Sequence, residues 1–239
     1  MIITANIATY PPRMNGLKQM ISSIYDQVDV IRICFNEMTR DDVPKFIKDL
    51  ENRYPDNDGK IYFYFPKENL TDNGKFSFLE EGREEYYFTM DDDLVYPHDY
   101  VEKTIENIIK YGTIITYHGR ILLGKGLDYY FHHEVFRCLA DQYVDKRIDV
   151  AGTGVCAFDT RYFNPVGLDI NDNKKMSDVI FSLEASKSNK KIGCIKHKQG
   201  WIKSIDNQET IFRSESRKGT PIQDSLSDEI YTLNYEGKH

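Results

Sequence analysis

Tyr86-Tyr87-Phe88-Thr89-Met90-Asp91-Asp92-Asp93-Leu94-Val95-Tyr96-Pro97 sets three consecutive carboxylates directly behind an apolar, aromatic run. The run reads as a buried strand, and open α/β sheets place their ligands outside the carboxyl ends of strands. Three adjacent negative charges repel one another. A hard cation removes that repulsion, because Mg²⁺ or Mn²⁺ prefers carboxylate oxygens and bridges readily to phosphates. The competing reading is a helix N-terminal cap, where acids suit the dipole. One Asp would meet that need, so three after a buried strand favour the metal.

Upstream, strand and helix alternate at short intervals. Ile2 to Ala8 reads as a strand, and Leu17, Met20, Ile21 and Ile24 recur at the spacing of an amphipathic helix. Val28 to Phe35 is a second strand. Asp41 and Asp42 are expected to cap a helix with the stripe Val43, Phe46, Ile47 and Leu50, Pro44 being tolerated in its first turn. Ile61 to Phe65 makes a third strand. This βαβαβ order implies a mostly parallel sheet covered by helices on both faces.

Downstream, a helix after Pro97 carries Val101, Ile105, Ile108 and Ile109 and stops at Gly112. Ile114 to Tyr117 and Val150 to Phe158 read as strands, with a short helical stretch near Glu134 to Ala140 between them. Met176 to Ser188 reads as a helix and Lys191 to Ile195 as a strand. The tail after Asp206 is polar and reads as a loop or a partly disordered segment.

The 239 residues suit one large α/β domain. A formal charge of −7, from 31 basic and 38 acidic side chains, argues against a general nucleic-acid or anionic-membrane binder. Seventeen Tyr against a single Trp leave aromatic rings to spare for stacking on bases or sugars. The N-terminus lacks the pattern of a signal peptide and no stretch reaches transmembrane length. Cys34, Cys138, Cys156 and Cys194 are too scattered for a disulfide framework or a zinc site. A reducing, cytoplasmic compartment is expected, host cytoplasm if the source is a virus.

A strand ending in Asp-x-Asp behind an N-terminal βαβαβ half resembles the GT-A fold of nucleotide-sugar-dependent glycosyltransferases, over about residues 1–205. The resemblance implies a single GT-A-like, Rossmann-type domain, with a nucleotide-binding half at 1–96, a sugar and acceptor half at 97–205, and a polar tail at 206–239. It implies transfer of a sugar from a nucleoside diphosphate donor, UDP-linked by expectation, to a hydroxyl of a glycan or sugar acceptor, with Mn²⁺ or Mg²⁺ on Asp91 and Asp93. Asp92 and Thr9 fall beside them at the nucleotide. Tyr10 would stack on the base and Arg13 meet the diphosphate, unless Pro11 and Pro12 merely impose a turn. Asn36, Asp72 and Lys75 occupy loops that touch the nucleoside in the family, although the glycine of Asp72-Asn73-Gly74-Lys75 explains that turn equally well.

Three later segments extend the match. Gly152, within Val150 to Phe158, would let the sugar approach backbone amides. Asp178 stands at the start of a helix, where inverting members keep the base that deprotonates the acceptor, and where an acid can also be a plain cap. His197-Lys198-Gln199-Gly200 resembles the segment that supplies a third metal ligand, His197, and a phosphate-binding Lys198. His98, His118, His132 and His133 are assigned an acceptor-side or structural role. A nucleotidyltransferase and a Ca²⁺-dependent carbohydrate-binding protein remain the rivals; the first βα turn, lacking a Gly-rich cradle, counts against the former.

Overall fold

The computed structural model describes residues 1–52, 59–172, 174–205 and 221–237. Apolar and β-branched runs form the strands at the centre: β1 (Ile2–Thr9), β2 (Val30–Phe35), β3 (Ile61–Tyr64) and β4 (Glu85–Met90). They lie parallel in the order β3-β2-β1-β4. Short strands follow: β5 (Leu94–Val95), β6 (Ile114–Thr116), β7 (Gly119–Ile121), β8 (Glu134–Phe136), β9 (Lys146–Ile148), β10 (Val150–Ala151), β11 (Val155–Asp159), β12 (Ile192–Cys194) and β13 (Lys203–Ser204). The main sheet continues from β4 through β11, β6 and β12 to β9, with β11 and β9 running against the rest. Strands β10, β7 and β8 form a second, antiparallel sheet, and β13 pairs with β5.

Period-two alternation sends β4 and β11 side chains to two cores. Phe88, Met90, Val155 and Ala157 join the face covered by α1 (Met14–Ile24) and α3 (Tyr100–Tyr111). Tyr87, Cys156 and Phe158 join Phe163 and Phe181 on the other face, under α4 (Ser177–Lys187). The expected stripe of α1, Leu17, Met20, Ile21 and Ile24, is buried. Gly112 ends α3 in the left-handed region at φ 57°, where a Cβ would be strained. All four cysteines are free and buried, and no helix of the described residues is long and apolar enough to cross a membrane.

Four expectations are corrected. Helix α2 (Lys45–Asn52) starts after Pro44, so Asp41 and Asp42 belong to a separate 3-10 turn, where Asp42 accepts hydrogen bonds from the Thr39 amide and hydroxyl. Glu134 begins strand β8 instead of a helix, because pairing with β7 satisfies its backbone and buries Phe136. Val150 to Phe158 is two strands, broken by a turn at 152–154. The tail is helical at α5 (Pro221–Tyr231), continued by a π-helical turn, Thr232–Glu236; residues 206–220 lie outside the described residues. Ile230 is buried with Leu122, Tyr129, Val150, Val179 and Leu183, and Leu226 and Leu233 pack against them. Burial against α4 overrides the polar composition.

Candidate active site

Chain connections leave β1 and β4 toward opposite flanks of the sheet, β1 leading to its neighbour β2 on the far side from β4. The crevice of such a fold opens at that switch point, beyond the carboxyl ends of the two strands. Thr9 ends β1 and Asp91 follows the last residue of β4, one residue beyond the Ile7 to Met90 pair. The Asp91 amide donates to the Gly154 carbonyl at 3.2 Å and to the Tyr96 hydroxyl at 2.9 Å, and that hydroxyl donates on to Gly154 at 2.6 Å. Tyr96 is buried, and burial pushes its hydroxyl well above the usual phenol range. A Cβ on Gly154 would stand 2.0 Å from Asp91 Oδ2, so the glycine makes room for the carboxylate.

Two buried cations hold the acidic triplet. Arg13 reaches Asp92 Oδ1 at 2.9 Å and Asp93 Oδ2 at 2.8 Å, while Lys75 reaches Asp91 Oδ1 at 2.5 Å. The Asp91 side chain keeps 43% of its accessible surface against 8% for Asp92 and 17% for Asp93, so Asp91 is the open member. Burial would raise the Asp91 pKa, but Lys75, Arg13 and His118 together lower it. Burial raises Asp92 to about 7 against the pull of Arg13. Asp93 is raised by burial and by the Asp91 charge.

The remaining expected residues divide into two groups. Close to the triplet, Asp72 and Asp178 interact electrostatically with Lys75, and burial raises both. Asp72 Oδ2 accepts from the amide of Ser177 and is hydrogen-bonded to its hydroxyl, and so caps α4 from another part of the chain. Asp178, in the first turn of α4, turns away from its own helix: Oδ1 accepts from the Thr153 amide at 2.8 Å and the Thr153 hydroxyl at 2.7 Å. Tyr10 lies beside Arg13, whose guanidinium carbon is 5.9 Å from its ring centre.

The contacts of the second group are with residues outside the acidic triplet. Both ends of the Asn36 amide bind main chain, at Leu70 N and Thr71 O. A Cβ on Gly152 would meet the His118 ring at 2.6 Å, so this glycine admits an imidazole. That imidazole is lowered to about 4 by burial first and Arg120 second, which keeps it neutral. Lys198 is exposed, 5.1 Å from the Tyr143 ring centre. His197 is buried among Tyr117 and Trp201. Its Nδ1 lies 2.8 Å from the Ile195 carbonyl, which can only accept, so Nδ1 carries the proton and Nε2 keeps a lone pair with no hydrogen-bond partner. Thr153 and Gly154 lie in the small-residue segment that the sequence pointed to at the sugar, and Ser177 at the expected helix start; their contacts with Asp178, Asp91 and Asp72 had no local signal.

Residues 12–166 match the family model of glycosyl transferase family 2. The chain belongs to glycosyl transferase family 2. The match covers Pro12 and Arg13 after β1, the acidic triplet and the Thr153 turn. Among solved structures, S. aureus TarS 1-349 in complex with UDP-GlcNAc is similar at a TM-score of 0.55 and 11% identity, over 90% of this chain and 61% of that one. S. aureus TarS is similar at 0.57 and 11%, over 98% of this chain and 44% of that one. At such identity the likeness is one of fold, and this chain spans less than two thirds of either TarS chain. No curated protein matches the sequence.

The chemistry of the donor set fits a hard divalent ion. Two cations, Arg13 and Lys75, face five acids, Asp72, Asp91, Asp92, Asp93 and Asp178, and the surplus is carried by carboxylate oxygens, the atoms Mg²⁺ and Mn²⁺ prefer. Among the described residues no three His, Cys, Asp or Glu side chains stand grouped as a ready ligand set.

Proposed function

We propose that this family 2 enzyme moves a sugar from a nucleoside diphosphate donor to a hydroxyl of a glycan acceptor. One observation carries the reading: the open Asp91 carboxylate ends β4 at the switch point, with Asp178 inside the same set of interacting charges. For an inverting transfer, Asp178 takes the proton of the acceptor hydroxyl, the freed oxygen bonds to the anomeric carbon, and the bond to the diphosphate breaks with its electron pair on the leaving phosphate. Arg13 and Lys75 bring positive charge to that crevice. Asp91 and Asp93 would hold Mn²⁺ or Mg²⁺, with His197 Nε2 as a further donor atom, and the ion would supply Lewis-acid stabilisation of the departing diphosphate. Residues 1–96 then serve the nucleotide and 97–205 the sugar and acceptor, in a cytoplasmic setting.

The fold shared with a TarS structure holding UDP-GlcNAc makes a UDP-linked donor the first to try. Calorimetry with UDP, with and without Mn²⁺, followed by a screen of nucleotide-sugars for metal-dependent consumption, tests the proposal. Binding at least about tenfold tighter with the ion is expected, a difference of roughly 1.4 kcal/mol. Metal-independent binding together with no donor consumed would overturn it.

A further inference from the structure

Between Asp72 and Asp178 runs an unbroken line of oxygens. Asp72 Oδ2 is hydrogen-bonded to Ser177 Oγ, Ser177 Oγ lies 2.8 Å from Thr153 Oγ1, and Thr153 Oγ1 lies 2.7 Å from Asp178 Oδ1. These are three oxygen–oxygen contacts of hydrogen-bond length, and each needs a proton between its atoms. The two hydroxyls supply one proton apiece, and an ionised carboxylate supplies none. With both acids ionised, one contact would set lone pair against lone pair in a buried setting. Every arrangement that satisfies all three contacts requires the third proton to come from a carboxyl group.

We propose that Asp72 and Asp178 share a single proton through Ser177 and Thr153, making Asp72 the positioning residue that keeps Asp178 ionised and aimed at rest; this rests on reading Asp178 as the base. The backbone contacts say where the proton sits. An N–H reaches Asp178 at 2.8 Å, from Thr153, whereas the N–H on Asp72, from Ser177, is at 3.3 Å. Among N–H contacts, bonds to a charged acceptor are the shorter ones, which assigns the negative charge to Asp178 and the proton to Asp72, where Thr71 Oγ1 occupies the second oxygen at 3.0 Å; the shorter of the two hydroxyl contacts, Ser177 to Asp72, is then the one that the carboxyl proton fills. The chain then points one way: Asp72 donates to Ser177, Ser177 to Thr153, and Thr153 to Asp178. The charged groups around the pair are Lys75 and Asp91, and Tyr129, Cys138 and Cys156 face Asp178 as neutral groups. Burial raises both acids, in keeping with one retained proton.

Infrared difference spectroscopy at pH 7 reads the shared proton without any sugar donor. The wild-type protein is expected to show a neutral carboxylic-acid carbonyl band, shifting in D₂O, that is missing from Asp72→Asn, from Asp178→Asn and from Thr153→Val. Each amide brings its own third proton, and the valine removes the contact that demands it. Asp92 and Asp93, also raised, are present in every variant and cancel in the differences. No band in the wild type would overturn the proposal, and so would a band that survives in Thr153→Val or in only one of the two asparagine variants, because burial alone would then hold the proton. Transfer assays add a second reading: Thr153→Val lowers turnover by about tenfold or more and Thr153→Ser restores it, a part of the roughly 10²–10⁴-fold that general-base assistance contributes. Equal turnover in the Val and Ser variants would count against the chain. Should no donor be consumed by the wild type, the assignment of Asp178 as base fails while the infrared result still decides whether the proton is shared.

Discussion

Replacing Gly154 with Ala tests whether space for Asp91 is what organises the site. The added methyl would lie 2.0 Å from Asp91 Oδ2 and 2.3 Å from its Cγ, far inside contact distance. Either the β11 turn moves or the carboxylate swings away. Overpacking of this kind costs about 1–3 kcal/mol. If Asp91 swings instead, Lys75, 2% exposed, loses its 2.5 Å partner. Stranding a buried charge costs about 3 kcal/mol or more, less here because Asp91 is partly open to water and Lys75 keeps the attraction of Asp72 and Asp178. At roughly 2–4 °C per kcal/mol for a chain of this size, thermal unfolding should shift down by about 2–12 °C. Turnover should fall by about 10²-fold, the usual result of misplacing a reacting group by about 1 Å. Gly124→Ala is the control, since its methyl would meet only Leu127 at 3.5 Å. Wild-type melting and turnover in Gly154→Ala would refute the argument that the glycine makes room for Asp91.

Three further outcomes follow from the same geometry. His197→Ala is expected to weaken Mn²⁺-supported nucleotide binding at least about tenfold more than metal-free binding; calorimetry giving equal losses would mean that the ring only packs against Tyr117 and Trp201. Asp92, raised from 3.8 to about 7, holds its proton more tightly folded than unfolded, so stability falls as pH rises through that window. In chelator, Asp92→Asn should therefore gain melting temperature relative to the wild type between about pH 4 and 7, and a gap independent of pH would contradict this. Asn234→Ala combined with Tyr235→Phe removes two of the three donors on buried Asp149, which should cost about 2 kcal/mol or more in denaturant unfolding; an unchanged midpoint would show that water replaces them.

Much of this architecture is legible in local pattern. The stripe of α1, the αL stop at Gly112 and the buried strand ahead of the acids are each set by neighbours in sequence, and the structure keeps them. The acidic triplet was readable as a cluster, but its partners were not. Arg13 meets Asp92 across 79 residues and Asp72 meets Ser177 across 105, and no local signal announces which acid finds which cation. The same holds for β8, which is a strand because β7 supplies its partner. Helix α5 was hidden because Ile222, Leu226 and Ile230 are separated by Gln, Asp, Ser and Glu; what makes it a helix is the apolar face of α4 that it covers.

Asp149 draws its hydrogen bonds from segments that lie far apart in the order of synthesis. Leu122 precedes it, while Asn234 and Tyr235 lie 85 and 86 residues later. A ribosome therefore delivers β10 and α4 well before the groups that complete the acid buried beside them. Until residue 235 emerges, Asp149 beside the second sheet is under-satisfied and Val179 and Leu183 of α4 lack the cover of α5, so this part of the molecule closes after the sheet of β1 to β4. Non-local closure of this kind is slow relative to helix and hairpin formation. The nascent chain thus passes through an interval in which one half is finished and the other is exposed to chaperones and proteases.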